Sequence, residues 1–156
     1  MAIQGDKILA VGKTDEITKQ YKGDDIIDAK KKIVMPGLID LHYHSSIGRG
    51  VSDGLSLDDA LFKFWYPKVR EVNAREAYWA ALCGYSEAIK SGTTCVNDQW
   101  RQMFSCAEAA EEIGIRAVLS CDVADEEQKL DTCQDNEKLY REKHNVEMAG
   151  SRFSLV

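Results

Sequence analysis

At 156 residues the chain has the length of one ordinary domain, and 44% hydrophobic with 29% charged residues excludes wholesale disorder. A formal net charge of −6 offers no basic face for neutralising phosphates, which argues against a nucleic-acid partner. No apolar run approaches the roughly 20 residues of a membrane span, and Met1 to Gly12 lacks a basic stretch followed by an apolar one, so neither a membrane nor a secretory signal is expected.

Cys83, Cys95, Cys106, Cys121 and Cys133 stand singly, with no C-x-x-C pair and an odd total. A thiolate zinc site and a disulfide framework are both disfavoured by that spacing. The expectation is buried, reduced thiols in a cytoplasmic protein.

The first 35 residues read as β. Ile8-Leu9-Ala10-Val11 follows the turn pair Gly5-Asp6 and stops at Gly12, while Ile26-Ile27-Asp28-Ala29 and Ile33-Val34-Met35 flank a solvated turn at Lys30-Lys31-Lys32. Short strands like these need further strands to bury a core. Pro36-Gly37 then punctuates the chain, and Leu38 to His44 forms the next strand candidate.

Beyond it, Ser56 with Asp59 starts a helix carrying Leu57, Leu61, Phe64 and Trp65, which Pro67 is expected to end. Asn73 with Glu76 caps a second helix, with Ala77, Ala81, Gly84 and Ala88 on one face and Ser91-Gly92 closing it. Thr93 to Asn97 is a β-branched strand. A helix from Met103 to Ile113 stops at Gly114, and Ile115 to Val123 is a further strand. A polar helix from about Asp131 to Lys143 follows, and Arg152 to Val156 begins another strand. Strand and helix in alternation specify a parallel sheet with right-handed crossovers. The chain is shorter than the roughly 250 residues of a complete (β/α)8 barrel, so these units build either a small open sheet or the first part of a barrel.

The chemistry concentrates in Leu38-Ile39-Asp40-Leu41-His42-Tyr43-His44. Strict strand alternation puts Leu38, Asp40, His42 and His44 on one face and Ile39, Leu41 and Tyr43 on the other, which would meet covering helices. Buried polar groups must be satisfied. A metal ion would satisfy both imidazoles, since neutral imidazole nitrogens ligate zinc well, with Asp40 placed to orient one of them. Hydrogen bonds at a polar sheet edge would satisfy them equally. His144 lies in a polar helix and reads as solvent-facing.

Pro36-Gly37-Leu38-Ile39-Asp40 leading to His42-x-His44 resembles the first barrel strand of the amidohydrolase superfamily. Gly5-Asp6-Lys7-Ile8, Ala10-Val11-Gly12 and Ile27-Asp28-Ala29 look like the small β domain that precedes that barrel. Glu87-Ala88 through Ser91-Gly92-Thr93-Thr94 to Asn97-Asp98 looks like the second barrel strand of the deaminase and chlorohydrolase branch, which includes adenosylhomocysteine/methylthioadenosine deaminases, guanine deaminases and triazine hydrolases.

The resemblance implies an α/β fold, the N-terminal part of a (β/α)8 TIM-type barrel over 36–156, preceded by part of a small β-sandwich over 1–35. It implies one divalent metal ion, zinc or else iron, held by His42 and His44, which activates a water for attack on an amidine-like ring carbon of a small heterocyclic substrate. Family members take further metal and catalytic residues from later strands, and these are expected to lie outside the 156 residues. Trp65, Glu71 and Asp98 are the expected substrate-pocket residues. Where nucleoside deaminases of this branch carry an acid shortly after the first-loop proline, Val69 stands two residues past Pro67 and Glu71 is the acid available.

Alternative readings are a non-catalytic fragment that oligomerises through open sheet edges, the hydantoinase and dihydroorotase branch with its bridging lysine, and an unrelated α/β binding domain. Ser151 to Val156 contains no lysine, and Gly92-Thr93-Thr94 suits the deaminase branch better. The chain alone is expected to lack deaminase activity and to form a homo-oligomer.

Overall fold

The structure, a computed structural model, describes residues 1–45, 50, 52–123, 131–144, 147–148, 151–152 and 154–155. The chain divides into two compact units, Met1–Pro36 and Gly37–Val156.

In the first unit, β1 (Ala2–Gln4) and β2 (Lys7–Ala10) form an antiparallel hairpin around Gly5, whose φ of +57° suits a residue without a Cβ. Thr14–Gln20 is a helix, α1, where the sequence had suggested only strands; Asp15 and Glu16 in its first turn and Lys19 in its last complement the helix dipole. Ile26-Ile27-Asp28-Ala29 and Ile33-Val34-Met35 are not strands. Ile26, Ile27 and Ile33 are 88–89% exposed, and a β-branched run without a partner strand has no ladder to join. The lysine turn forms as expected, with Lys32 N–H donating to Ala29 O at 3.0 Å.

The second unit is built on a parallel sheet in the order β3 (Leu38–Tyr43), β4 (Thr93–Trp100), β5 (Arg116–Cys121), β8 (Ser154–Leu155). A small antiparallel pair, β6 (Glu147–Met148) and β7 (Ser151–Arg152), precedes β8. Phe153 and Val156, part of the predicted last strand, lie outside the described residues. Three helices cover one face of the sheet: α3 (Ala74–Lys90), α4 (Met103–Ile113) and α5 (Cys133–Lys143). The predicted capping box is present at α3, where Asn73 Oδ1 accepts from Glu76 N–H and Glu76 Oε2 accepts from Asn73 N–H, both at 3.0 Å. Ala77, Ala81, Gly84 and Ala88 are all buried along that helix. These small side chains face a similar stripe on α4, Ala107, Ala109 and Ala110, so the helices approach closely. Leu139 of α5 completes the core.

Pro67 does not end its helix. Asp59–Trp65 winds as a π-helix and passes directly into α2 (Tyr66–Glu71), with Pro67 in the first turn of α2. Tyr66 N–H reaches back to Leu61 O, five residues away. The change of hydrogen-bond period therefore falls at the residue that has no N–H to contribute.

The open face of the sheet is the one that positions chemistry. On β4, Val96 and Asp98 are buried against the helices, while Cys95, Asn97 and Gln99 face away from them. Strict alternation fails on β3, because Asp40 pairs with Val96 but Tyr43 pairs with Asp98, three steps against two. That bulge sets Asp40 and Tyr43 on the helix side and leaves Ile39 and Leu41, 62% and 74% exposed, on the open side. The expected apolar-in, polar-out assignment of β3 is thus reversed for Asp40, Ile39 and Leu41, because an inserted residue resets the period of two.

Candidate metal centre

His42 and His44 converge at the C-terminal end of edge strand β3. Their Nε2 atoms are 2.9 Å apart and their rings meet edge to face, with centroids 4.7 Å apart. His44 Nδ1 lies 2.6 Å from the main-chain oxygen of Gln99. A carbonyl oxygen can only accept, so Nδ1 carries the proton and the lone pair of neutral His44 sits on Nε2. His42 Nε2 lies within hydrogen-bonding reach of that atom.

The same donor set fits a divalent ion as a partial site. Two imidazole nitrogens bound at about 2.1 Å in adjacent positions stand about 3.0–3.4 Å apart, close to the separation seen. The Nδ1–H to carbonyl contact is the usual outer support of a metal-bound imidazole. Among the described residues, no third His, Cys, Asp or Glu joins the pair to make a ligand cluster.

Asp40 meets the backbone of His42. Its Oδ1 accepts from His42 N–H at 3.1 Å and so holds the bulge, rather than meeting either imidazole. The wall beside His44 is aromatic: the Trp100 ring lies 4.6 Å from it, and Tyr66 stacks on Trp100 at 6.4 Å with 15° between the planes. Trp65, named from the sequence as a pocket residue, donates from Nε1 to Ser52 Oγ at 3.1 Å. Its neighbour Tyr66 takes the place beside Trp100. Glu71 is exposed at the end of α2.

Asp98 does not line the open face. It is fully buried on the helix side, where Oδ1 accepts from Ser45 N–H at 3.0 Å and Oδ2 accepts from Tyr85 Oη at 2.5 Å and from Ser45 Oγ. Burial pushes its carboxyl above the usual range, opposed by the hydrogen bonds from Ser45 and Tyr85. Burial, and then the charge of Asp98, push the Tyr85 hydroxyl well above its ordinary value. Gln99 acts through its main chain and Trp100 through stacking, so neither carries a sequence signal, and Tyr85 falls four residues after Ala81 among the buried positions of α3.

On the open face of the sheet, a trough of about 410 Å³ is lined by Ile39, Leu41, Cys95, Val96, Asn97, Gln99, Val118 and Ser120. A parallel sheet, helices on one face and a histidine pair at a strand's C-terminal end define an α/β protein with its site where such sheets bind ligands.

Residues 33–153 match the family described as the Amidohydrolase family, and the chain belongs to it. A 5-methylthioadenosine/S-adenosylhomocysteine deaminase from Thermoanaerobacter pseudethanolicus is 38% identical over 148 residues, 92% of this chain and 34% of that protein. Among solved structures, guanine deaminase from E. coli superposes with a TM-score of 0.68 at 19% identity, covering 97% of this chain and 38% of that one. An atrazine chlorohydrolase from Arthrobacter aurescens, complexed with zinc, gives 0.56 at 20% identity over 77% of this chain and 34% of that one. The chain spans about a third of the length of the curated relatives it matches. The likeness to the deaminase and chlorohydrolase structures is one of fold, a mixed α/β architecture on a parallel sheet.

Proposed function

We propose that the chain supplies the first two metal ligands, His42 and His44, of a hydrolase that deaminates an adenosine-like heterocycle. The observation that carries this reading is the convergence of the two Nε2 atoms to 2.9 Å with His44 Nδ1 held by Gln99 O. The relative named as a methylthioadenosine/adenosylhomocysteine deaminase supports a 6-aminopurine nucleoside as the substrate class. Zinc, as in the chlorohydrolase structure, is the metal proposed. When bound, it would supply a water activated for attack at neutral pH.

Around it, His44 Nδ1 is held by Gln99 O, Asp40 holds the backbone at His42, and Trp100 with Tyr66 walls one side of the His44 ring. Trp65 and Glu71 are proposed to contact substrate, Glu71 as the acid facing a ribose. Residues 36–156 are proposed as the first part of a (β/α)8 barrel and 1–35 as part of a β-sandwich. Edge strand β3 and the exposed side chains of Ile39 and Leu41 support self-association. Among the described residues no helix is long and apolar enough to cross a membrane, and a cytoplasmic location is proposed.

The test is zinc retention by the 156-residue chain after dialysis, measured by atomic absorption, beside His42→Ala. Stoichiometric zinc in the wild type and none in the variant is the expected result; equal zinc in both would refute the ligand assignment. The chain alone is expected to release no ammonia from adenosine, with His44→Ala as the baseline.

A further inference from the structure

Both neighbours of His44 are tied to one turn of α3. Tyr43 Oη donates to Gly84 O at 2.8 Å, and the Tyr43 ring stacks on Tyr85 with centroids 6.0 Å apart. On the other side, Ser45 gives its N–H to Asp98 Oδ1 and its hydroxyl to Asp98 Oδ2, the oxygen that also accepts from Tyr85 Oη. Ser45 Oγ and Tyr85 Oη are themselves 3.2 Å apart.

These groups are sealed from solvent: Asp98 and Tyr85 are 0% exposed and Ser45 3%. A carboxyl in such a place is costly, and an apolar side chain of similar volume would generally stabilise the sheet as well or better. The neighbouring positions facing the helices are apolar, Val96 on β4 and Ala117 and Leu119 on β5. The polar exception occurs at the one level of the sheet where the chain leaves β3 immediately after His44.

We propose that Asp98, with Tyr85 and Ser45, is a positioning set for the histidine pair. Asp98 fixes the main chain at Ser45, which with the Tyr43 anchor leaves the His44 ring a single direction, toward Gln99 O and His42. The three bond to one another and not to either imidazole. They act through His44, the way outer hydrogen-bond partners orient ligands elsewhere. This inference rests on the metal-ligand reading of His42 and His44, but one of its readouts does not.

The experiment uses the full chain, metal-free and with zinc, in Ser45→Ala, Asp98→Asn and Tyr85→Phe forms, with Leu139→Ala as a core control distant in sequence. Two quantities are read: the zinc dissociation constant by competition with a chromophoric chelator, and the imidazole ¹⁵N spectrum of the metal-free protein. Asp98→Asn is expected to weaken zinc by roughly 10–100-fold and Ser45→Ala by about tenfold. Both should replace the Nδ1–H signature of His44 with averaged tautomers. Leu139→Ala should lower the thermal midpoint and leave both readouts unchanged.

If Asp98→Asn does not fold, Ser45→Ala, which removes a single hydroxyl, decides. Wild-type zinc affinity and His44 spectrum in the folded variants would overturn the proposal, as would equal changes in Leu139→Ala. Should the wild type take up no zinc, the metal reading falls, and the His44 spectrum alone upholds or overturns the positioning role.

Discussion

His44 Nδ1 meets the main-chain oxygen of Gln99 at 2.6 Å, so the orientation of a candidate metal ligand on β3 is set by the backbone of β4. Parallel pairing brings these strands side by side with Asp98 opposite Tyr43, which puts Gln99 level with His44. A contact through the main chain is blind to the side chain that carries it. Gln99→Ala is therefore expected to leave zinc affinity within about twofold of wild type, although its side chain borders the trough. His44→Ala should bring zinc retention down to the level of His42→Ala. Chelator competition on the three variants checks both outcomes, and a large loss in Gln99→Ala would show that its amide, not its carbonyl, is the supporting group.

Gly37 sets how close β3 lies to β4. A Cβ added there would fall 2.2 Å from Thr94 Cγ2, 2.3 Å from Oγ1 and 2.7 Å from Cβ. No rotamer of Thr94 removes all three contacts, so the strands must separate. Gly37→Ala is expected to cost about 1–3 kcal/mol, the range for overpacking. Adding Thr94→Ala should recover only part of it, because the Thr94 Cβ clash persists. Urea denaturation of the single and double variants measures this; full recovery would mean that the side-chain termini alone made the barrier.

What the sequence revealed about this protein followed from local chemistry. The Asn73/Glu76 box, the alanine stripe and the Ser91-Gly92 stop delimit α3 because each acts within one or two helical turns. Gly114, at φ +76°, ends α4 for the same reason. The family resemblance was legible because His42-x-His44 sits in a contiguous motif. The failures lie where a neighbour decides. The β3 bulge depends on register with β4, so Asp40 could not be assigned a face from its own strand. Asp98 looked like a pocket residue until α3 brought Tyr85 over it. Ile26, Ile27 and Ile33 have strand composition but, among the described residues, no strand beside them.

The capping box at α5 was not foreseen, and it gives a pH-dependent prediction. Thr132 Oγ1 accepts from Asp135 N–H at 3.2 Å, and Asp135 Oδ2 accepts from Thr132 N–H at 2.7 Å. The Thr132 hydroxyl, which donates to Asp135 Oδ2 at 2.6 Å, and then the Thr132 N–H hold the Asp135 carboxyl below its ordinary 3.8. A depressed carboxyl contributes stability that is present above that value and lost as the pH falls below it. Thr132→Ala should cost about 1 kcal/mol near neutrality, and the gap from wild type should shrink below pH 3.8 as Asp135 protonates. Thermal unfolding across that range reads the gap directly; a constant gap would mean that the carboxylate contributes nothing.

Cys121 closes β5 on the helix side, 7% exposed, with its N–H donating to Asn136 Oδ1 at 2.7 Å. Burial, and then the charges of Asp131 and Asp135, push its thiol from 9.0 up to about 12. The folded state therefore keeps a proton that the unfolded chain releases, so this stability is complete below 9.0 and is lost as the pH climbs toward 12. Wild-type stability should fall more steeply over that interval than that of Cys121→Ala, which has nothing to ionise there. The same difference should appear as reactivity, since the thiolate is the nucleophile. Iodoacetamide at about pH 8 should modify the exposed Cys83 and Cys133 and spare the buried Cys106 and Cys121 until the protein unfolds. Peptide mapping of the alkylated chain decides it: label on Cys121 in the native protein would show that its burial does not hold the proton in place.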